Sequence, residues 1–160
     1  MTAIGASGHR SLKEVSIISQ KIDAALNHIQ ETHPAPFVVY SALAEGADRL
    51  IVQRAFDLLG ARLVAVLPMQ QTDYLADFVL SDSLNEFKEL LALAAKVIEL
   101  PPTLTRDIAY EAAGRYILAH VDLLVAVWDG KPARGQGGTG QIVTEARKSH
   151  IPVVWIRATR

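Results

Sequence analysis

Apolar positions along this chain fall into two alternating patterns. Short runs rich in β-branched residues, at 2–5, 37–40, 62–67, 96–100, 122–128 and 153–156, have the uniform apolarity of strands buried on both faces of a sheet. Between them, apolar residues recur with helical spacing. Segment 11–28 places Leu12, Val15, Ile18, Ile22, Ala25, Leu26 and then Ile29 on one stripe, and Ser11 with Glu14 has the form of a capping box. Segment 47–59 stops at Gly60, a residue suited to the left-handed turn that ends a helix. Segment 83–95 repeats the capping-box form at Ser83 and Glu86, segment 108–120 carries Ala112, Ala113, Tyr116 and Ile117 inward, and a last helix is predicted over 141–149.

Strand–helix alternation over residues 1–160 predicts a single α/β domain of Rossmann-like, three-layer form, with a mainly parallel sheet and helices on both faces. In such open sheets a ligand binds outside the carboxyl ends of the strands, where strand order reverses. The loops to inspect are therefore 5–10, 41–49, 68–74 and 129–140.

Composition narrows the function classes. Half of the 160 residues are apolar and 21% are charged, which excludes a disordered chain. Sixteen basic residues against seventeen acidic ones argue against a generic nucleic-acid binder, and 6% aromatics leave few platforms for stacking bases. With no cysteine, disulfides and thiolate-held zinc are excluded; the five histidines have no helical spacing to one another, so no metal is expected. No leader pattern opens the sequence and no apolar run reaches ~18 residues, so the expectation is a cytoplasmic protein with no membrane contact.

Four loops carry candidate chemistry. Gly5, Gly8 and Arg10 sit between a strand and a helix, where small residues let a ligand approach backbone N–H groups and Arg10 can clamp an anion; the same sequence also serves as an ordinary tight turn with an exposed arginine. After the second strand come Ser41, a hydroxyl donor, and Glu45-Gly46, a carboxylate with no helix partner in the local pattern; Asp48 reads as an acid favoured at a helix start, with Arg49 solvated. In the third, Tyr74 and Phe78 lie one helical turn apart, which suits packing better than ligand stacking, and Tyr110 farther on reads as a half-buried structural residue. Residues 129–140 hold five glycines, among them Gly137, Gly138 and Gly140, with Thr139 beside the last helix; this is a nest for phosphate or another small anion, with Asp129 placed to meet a ribose hydroxyl or to close a turn.

Taken in order, Gly8-His9-Arg10, the run Ser41 to Arg49, Val66-Leu67-Pro68, Trp128-Asp129-Gly130 and Gly137-Gly138-Thr139 resemble the SLOG superfamily, Rossmann-like domains named after the Smf/DNA-processing proteins and the Lonely guy enzymes. The resemblance implies a nucleotide-derived ligand, no required cofactor, and a homodimer. It assigns phosphate binding to Gly137, Gly138 and Thr139, with the rest of the ligand near Gly8, Arg10, Glu45 and Gly46. One departure stands out: Lonely guy phosphoribohydrolases look like Pro-Gly-Gly-x-Gly-Thr followed closely by a catalytic glutamate, whereas here Ile142 comes three residues after Thr139 and the nearest acid is Glu145.

Three readings follow. The first is a sensor or processing domain that binds a nucleotide or ribose phosphate. The second is a hydrolase of N-glycosidic bonds using Glu45 and Asp129, with Glu145 a weaker third. The third is a self-associating domain whose seam is helix 108–120, where Gly114 costs about 1 kcal/mol relative to alanine and calls for close packing to compensate.

Overall fold

A run of apolar residues with no polar alternation can only be buried on both sides, and the centre of the sheet is built from such runs. In the computed structural model, which describes residues 1–133 and 138–159, six parallel strands form one sheet in the order β4-β3-β2-β1-β5-β6. The strands are β1 (Thr2–Gly8), β2 (Phe37–Ser41), β3 (Arg62–Leu67), β4 (Lys96–Glu99), β5 (Leu123–Trp128) and β6 (Val153–Arg157). The helices are α1 (Val15–Thr32), α2 (Ala47–Leu59), the single turn α3 (Gln71–Tyr74) with a 3-10 turn at Leu75–Asp77, α4 (Ser81–Ala92), α5 (Arg106–His120) and α6 (Thr139–Lys148). The α/β, Rossmann-like architecture is as expected.

Strand residues sort by parity. Ile4, Ala6, Val39, Leu63, Ala65, Val125 and Val127 face one core with Ile18, Ile22 and Leu26 of α1 and Ile51, Val52 and Ala55 of α2. Val64, Val66, Leu124 and Ala126 face the other side, against Ala113, Ile117 and Leu118 of α5 and Val143 and Ala146 of α6. The expectation of burial on both faces fails at the sheet margins, because each outer strand pairs on one side only. All of β4 except Ile98 is exposed, and so are Trp155 and Arg157 of β6.

Both capping-box expectations fail. Helix α1 starts four residues after Ser11, with Glu14 as its N-cap in a left-handed conformation (φ 53°). The chain first has to pass over the start of α2, where the Ala47 N–H donates to His9 O at 3.0 Å. The α1 helix also runs on to Thr32, which keeps Ile29 in the buried stripe. Helix α4 starts two residues before Ser83, whose hydroxyl and carbonyl are taken by other elements. By contrast, Gly60 ends α2 in the left-handed region (φ 57°), as predicted.

The demand for compensation at Gly114 is met inside the chain. A Cβ added there would stand 2.7 Å from Ile142 Cδ1, so the missing side chain lets α5 and α6 close on each other. The position therefore gives no argument for a seam between two copies.

Candidate functional site

Strands β1 to β4 step outward in one direction and β5 and β6 lie on the other side of β1, so strand order reverses between β1 and β5. At that boundary the loops after the two strands diverge and leave a crevice. The sequence at the end of β1 suits a crowded junction. A Cβ on Gly8 would lie 2.4 Å from Ala47 Cβ and 2.8 Å from Val127 O, so only glycine lets α2 and β5 close around the strand end. His9 then joins both neighbours: its N–H donates to Val127 O at 3.1 Å, and its Nε2 accepts the Asp129 N–H at 2.9 Å.

Above this junction lies a cleft of about 330 Å³ whose lining includes Gly8, Arg10, Asp48, Tyr110, Gly138 and Thr139. One side is electropositive. The Arg10 guanidinium sits 4.9 Å from the centre of the Tyr110 ring, a cation–π contact that holds it at the cleft mouth. Partial desolvation works against that charge, but hydrogen bonding to Tyr110 and the fields of Tyr74, Tyr110 and Asp77 more than offset it, so its pKa lies above the ordinary arginine range. Tyr110 is itself fixed, donating to Asp77 Oδ2 at 2.6 Å and accepting from Arg106 Nε at 3.2 Å. On the same cleft opens the N-terminus of α6. Its ladder begins with Gln141 and Ile142, which donate to Gly138 O, so the N–H groups of Thr139 and Gly140 precede the helical bonds.

The lining also includes Asp48, only 6% exposed and in the first turn of α2. Desolvation raises its carboxyl from the usual 3.8 to about 7, against the opposing pull of the Ala44 backbone, Arg10, Ser41 and Arg49. Ser41 Oγ stands 3.5 Å from Asp48 Oδ2 and accepts the Leu43 N–H at 2.9 Å. Arg49, expected in solvent, is buried. It donates to Leu43 O at 3.0 Å and to Ser83 O at 2.9 Å, pairs with Glu86 at 3.3 Å, and lies 4.5 Å over the Phe78 ring. It clamps the loop after β2 onto α4. Tyr74, Phe78 and Phe87 form the aromatic cluster beneath it, and burial pushes the Tyr74 phenol, which donates to Ala42 O, well above the ordinary tyrosine range.

Of the site residues expected from sequence, Gly8, Arg10, Gly138 and Thr139 come together in the cleft. Three others stand behind it. Ser41 is fully buried under Asp48; Gly46, at φ 82°, lies where a Cβ would meet Arg10 O at 2.3 Å; and Gly140 packs against Ala133 N, where a Cβ would come within 2.8 Å. Gly137 lies outside the described residues, as do 134–136. The two proposed catalytic acids are engaged elsewhere. Glu45 accepts the Ser83 hydroxyl at 2.5 Å, so the loop carboxylate does have a helix partner, on α4. Asp129 accepts the Lys131 N–H at 2.9 Å, closing a turn in which Gly130 has φ 83°, and neither acid lines the cleft. Glu145 pairs with Arg115 at 3.0 Å, while Ile142 presents an apolar side chain to the cleft. Sequence reasoning undervalued Asp48 and missed His9. The available signal was the position of Asp48, an acid in the first turn of the helix that Gly46 opens after β2.

Among the described residues, no group of three or more His, Asp or Glu side chains could hold a metal ion, and no helix is long and apolar enough to cross a membrane.

No family model matches this sequence, and no curated protein does. Solved structures do. DNA processing protein A from Streptococcus pneumoniae superposes with a TM-score of 0.68 at 16% identity, over 99% of this chain and 50% of that one. DNA processing protein A from Helicobacter pylori, in a structure described for its single-stranded DNA binding mode, gives 0.62 at 14% identity, over 99% of this chain and 66% of that one. The chain thus spans about half the length of the first protein and 66% of the second. At this identity the likeness is one of fold: the chain shares the Rossmann-like architecture of the part of these proteins that it covers.

Proposed function

We propose that this domain binds a nucleotide or a nucleotide-derived ribose phosphate in the cleft between the ends of β1 and β5, and that it binds without cleaving. The observation that carries this reading is the convergence of Arg10, the α6 N-terminus and a buried acid on one crevice at the strand-order reversal. Arg10 and the α6 N–H groups suit a phosphate, and Asp48 in the same lining suits a hydrogen-bond donor. Ligand pockets run from about 300 to 1,000 Å³, so a cleft near the lower limit suits a mononucleotide better than a dinucleotide. Against cleavage stand the Ser83 bond of Glu45, the turn made by Asp129, and the apolar Ile142 where the resemblance puts a catalytic glutamate.

Composition argued against nucleic acid, but the Helicobacter pylori protein of like fold binds single-stranded DNA, so a net charge of −1 does not settle the matter for this chain. A cleft of about 330 Å³ favours the small ligand. A thermal-shift panel of nucleoside monophosphates, dinucleotides, sugar phosphates and a single-stranded oligonucleotide tests the choice. Ligand at ten times its Kd stabilises by about 1.4 kcal/mol, a shift of roughly 3–6 °C at this size. Mononucleotides are expected to give the largest shift, with no free base released on incubation. A shift with the oligonucleotide alone would replace this reading with a nucleic-acid one.

A further inference from the structure

Asp48 is a buried carboxylate without an ion pair among the described residues, although two arginines are near it. Arg49 turns its Nε and Nη1 to Leu43, Ser83 and Glu86 while its buried Nη2 bonds nothing, Asp48 included, and Arg10 stands over Tyr110 at the cleft mouth. The Ala44 backbone donates one hydrogen bond to Asp48, and the Ser41 hydroxyl approaches it at the long distance of 3.5 Å. Burying an acid this way is unfavourable unless donors complete its shell. The cleft is open on its free side, so a ligand can supply them.

We infer that Asp48 is the selecting residue of the cleft, accepting hydrogen bonds from O–H or N–H groups of a mononucleotide whose phosphate is held by Arg10 and the start of α6. The inference rests on the proposed nucleotide reading and names the chemistry it leaves open. It selects ligands that carry hydrogen-bond donors besides the phosphate, such as a ribose diol or the amino edge of a base. Other charged or titratable groups around the cleft are His9 and Arg10 after β1, Arg49 on α2, Tyr74 on α3, and Asp107 and Tyr110 on α5. Because burial raises the Asp48 carboxyl to about 7, its accepting, ionised form is gained between pH 6 and pH 8.

Calorimetry at pH 6 and pH 8 on the wild type, Asp48→Asn and Arg10→Ala tests this. The ligands are adenosine 5′-monophosphate, its 2′-deoxy form, inosine 5′-monophosphate, ribose 5-phosphate and adenosine. The expected result is at least tenfold weaker binding of adenosine 5′-monophosphate by Asp48→Asn at pH 8. Wild-type affinity for adenosine, which has no group titrating in this range, should rise about five- to tenfold from pH 6 to pH 8. That rise needs no variant, and it should be absent in Asp48→Asn. A hydroxyl contact makes the 2′-deoxy compound weak and keeps ribose 5-phosphate sensitive to Asp48→Asn; a base contact makes inosine monophosphate weak instead. If Asp48→Asn binds every ligand as the wild type does while Arg10→Ala weakens them, Asp48 is not the selector and the nucleotide reading stands. If the wild type binds none, both fall.

Discussion

His9 Nε2 accepts the backbone N–H of Asp129 at 2.9 Å, tying the loop after β1 to the loop after β5 across the reversal of strand order. The Asp129 carboxylate is farther off, at 3.4 Å from the same nitrogen. A ring nitrogen that accepts an N–H is the unprotonated one, so the neutral ring carries its hydrogen on Nδ1. His9→Ala leaves that amide without its acceptor and is expected to lower stability by about 1–3 kcal/mol. Denaturant melts of the variant check this, and an unchanged midpoint would remove the tie from the account.

The Gly114–Ile142 contact makes a prediction about coupling. Alanine in a helix interior is favoured over glycine by about 1 kcal/mol, but a Cβ at position 114 would meet Ile142 Cδ1 at 2.7 Å. Gly114→Ala alone should therefore gain less than that. In an Ile142→Ala background, which removes both Cδ1 and the Cγ1 that a Cβ would meet at 2.9 Å, the same substitution should recover most of the gain. A double-mutant cycle by thermal melting measures the difference. Additivity would mean that Ile142 moves aside freely.

Asp48 should make stability fall with rising pH. Its carboxyl titrates near 3.8 when unfolded and near 7 when folded, so the folded state binds the extra proton between those values. The contribution is absent below about pH 4, grows through the interval, and reaches a loss of order 4 kcal/mol above pH 7. Asp48→Asn should abolish it, melting above the wild type at pH 8 and close to it at pH 4.5. Parallel melting curves at both pH values would show that the carboxyl is not held in its neutral form.

The legible part of this fold is the part that depends on burial alone. Strand β3 is found at its predicted residues, 62–67, and α2 ends at Gly60 as read, because uniform apolarity and a left-handed glycine leave few alternatives. The strand β1 is longer than the predicted 2–5 because Ala6, Ser7 and Gly8 look like a turn; their small size instead serves the crowded junction with α2 and β5. The site was half legible. Arg10, Gly138 and Thr139 follow from the rule that ligands sit at strand ends. Glu45 and Arg49 were misread because their partners, Ser83 and Glu86, lie 37–38 residues away in sequence and were spoken for by an apparent capping box. Local pattern cannot reveal a tertiary claim on a capping residue.

Gly138 caps α6 in an extended conformation on the cleft wall. Gly138→Asp places a carboxylate where an anion must sit, so phosphate-ligand affinity should be lost while the circular dichroism melt is preserved. A variant that melts normally and binds normally would put the ligand elsewhere.

The central claim is that an anionic ligand sits between Arg10 and the α6 N-terminus, and a calorimetric titration of wild type and Arg10→Ala with adenosine 5′-monophosphate tests it most directly. The account predicts saturable one-to-one binding by the wild type, weakened in Arg10→Ala by about 1.5–3 kcal/mol, the worth of a charge-assisted hydrogen bond. Equal affinity in the two proteins, or no heat from the wild type at millimolar ligand, would contradict it.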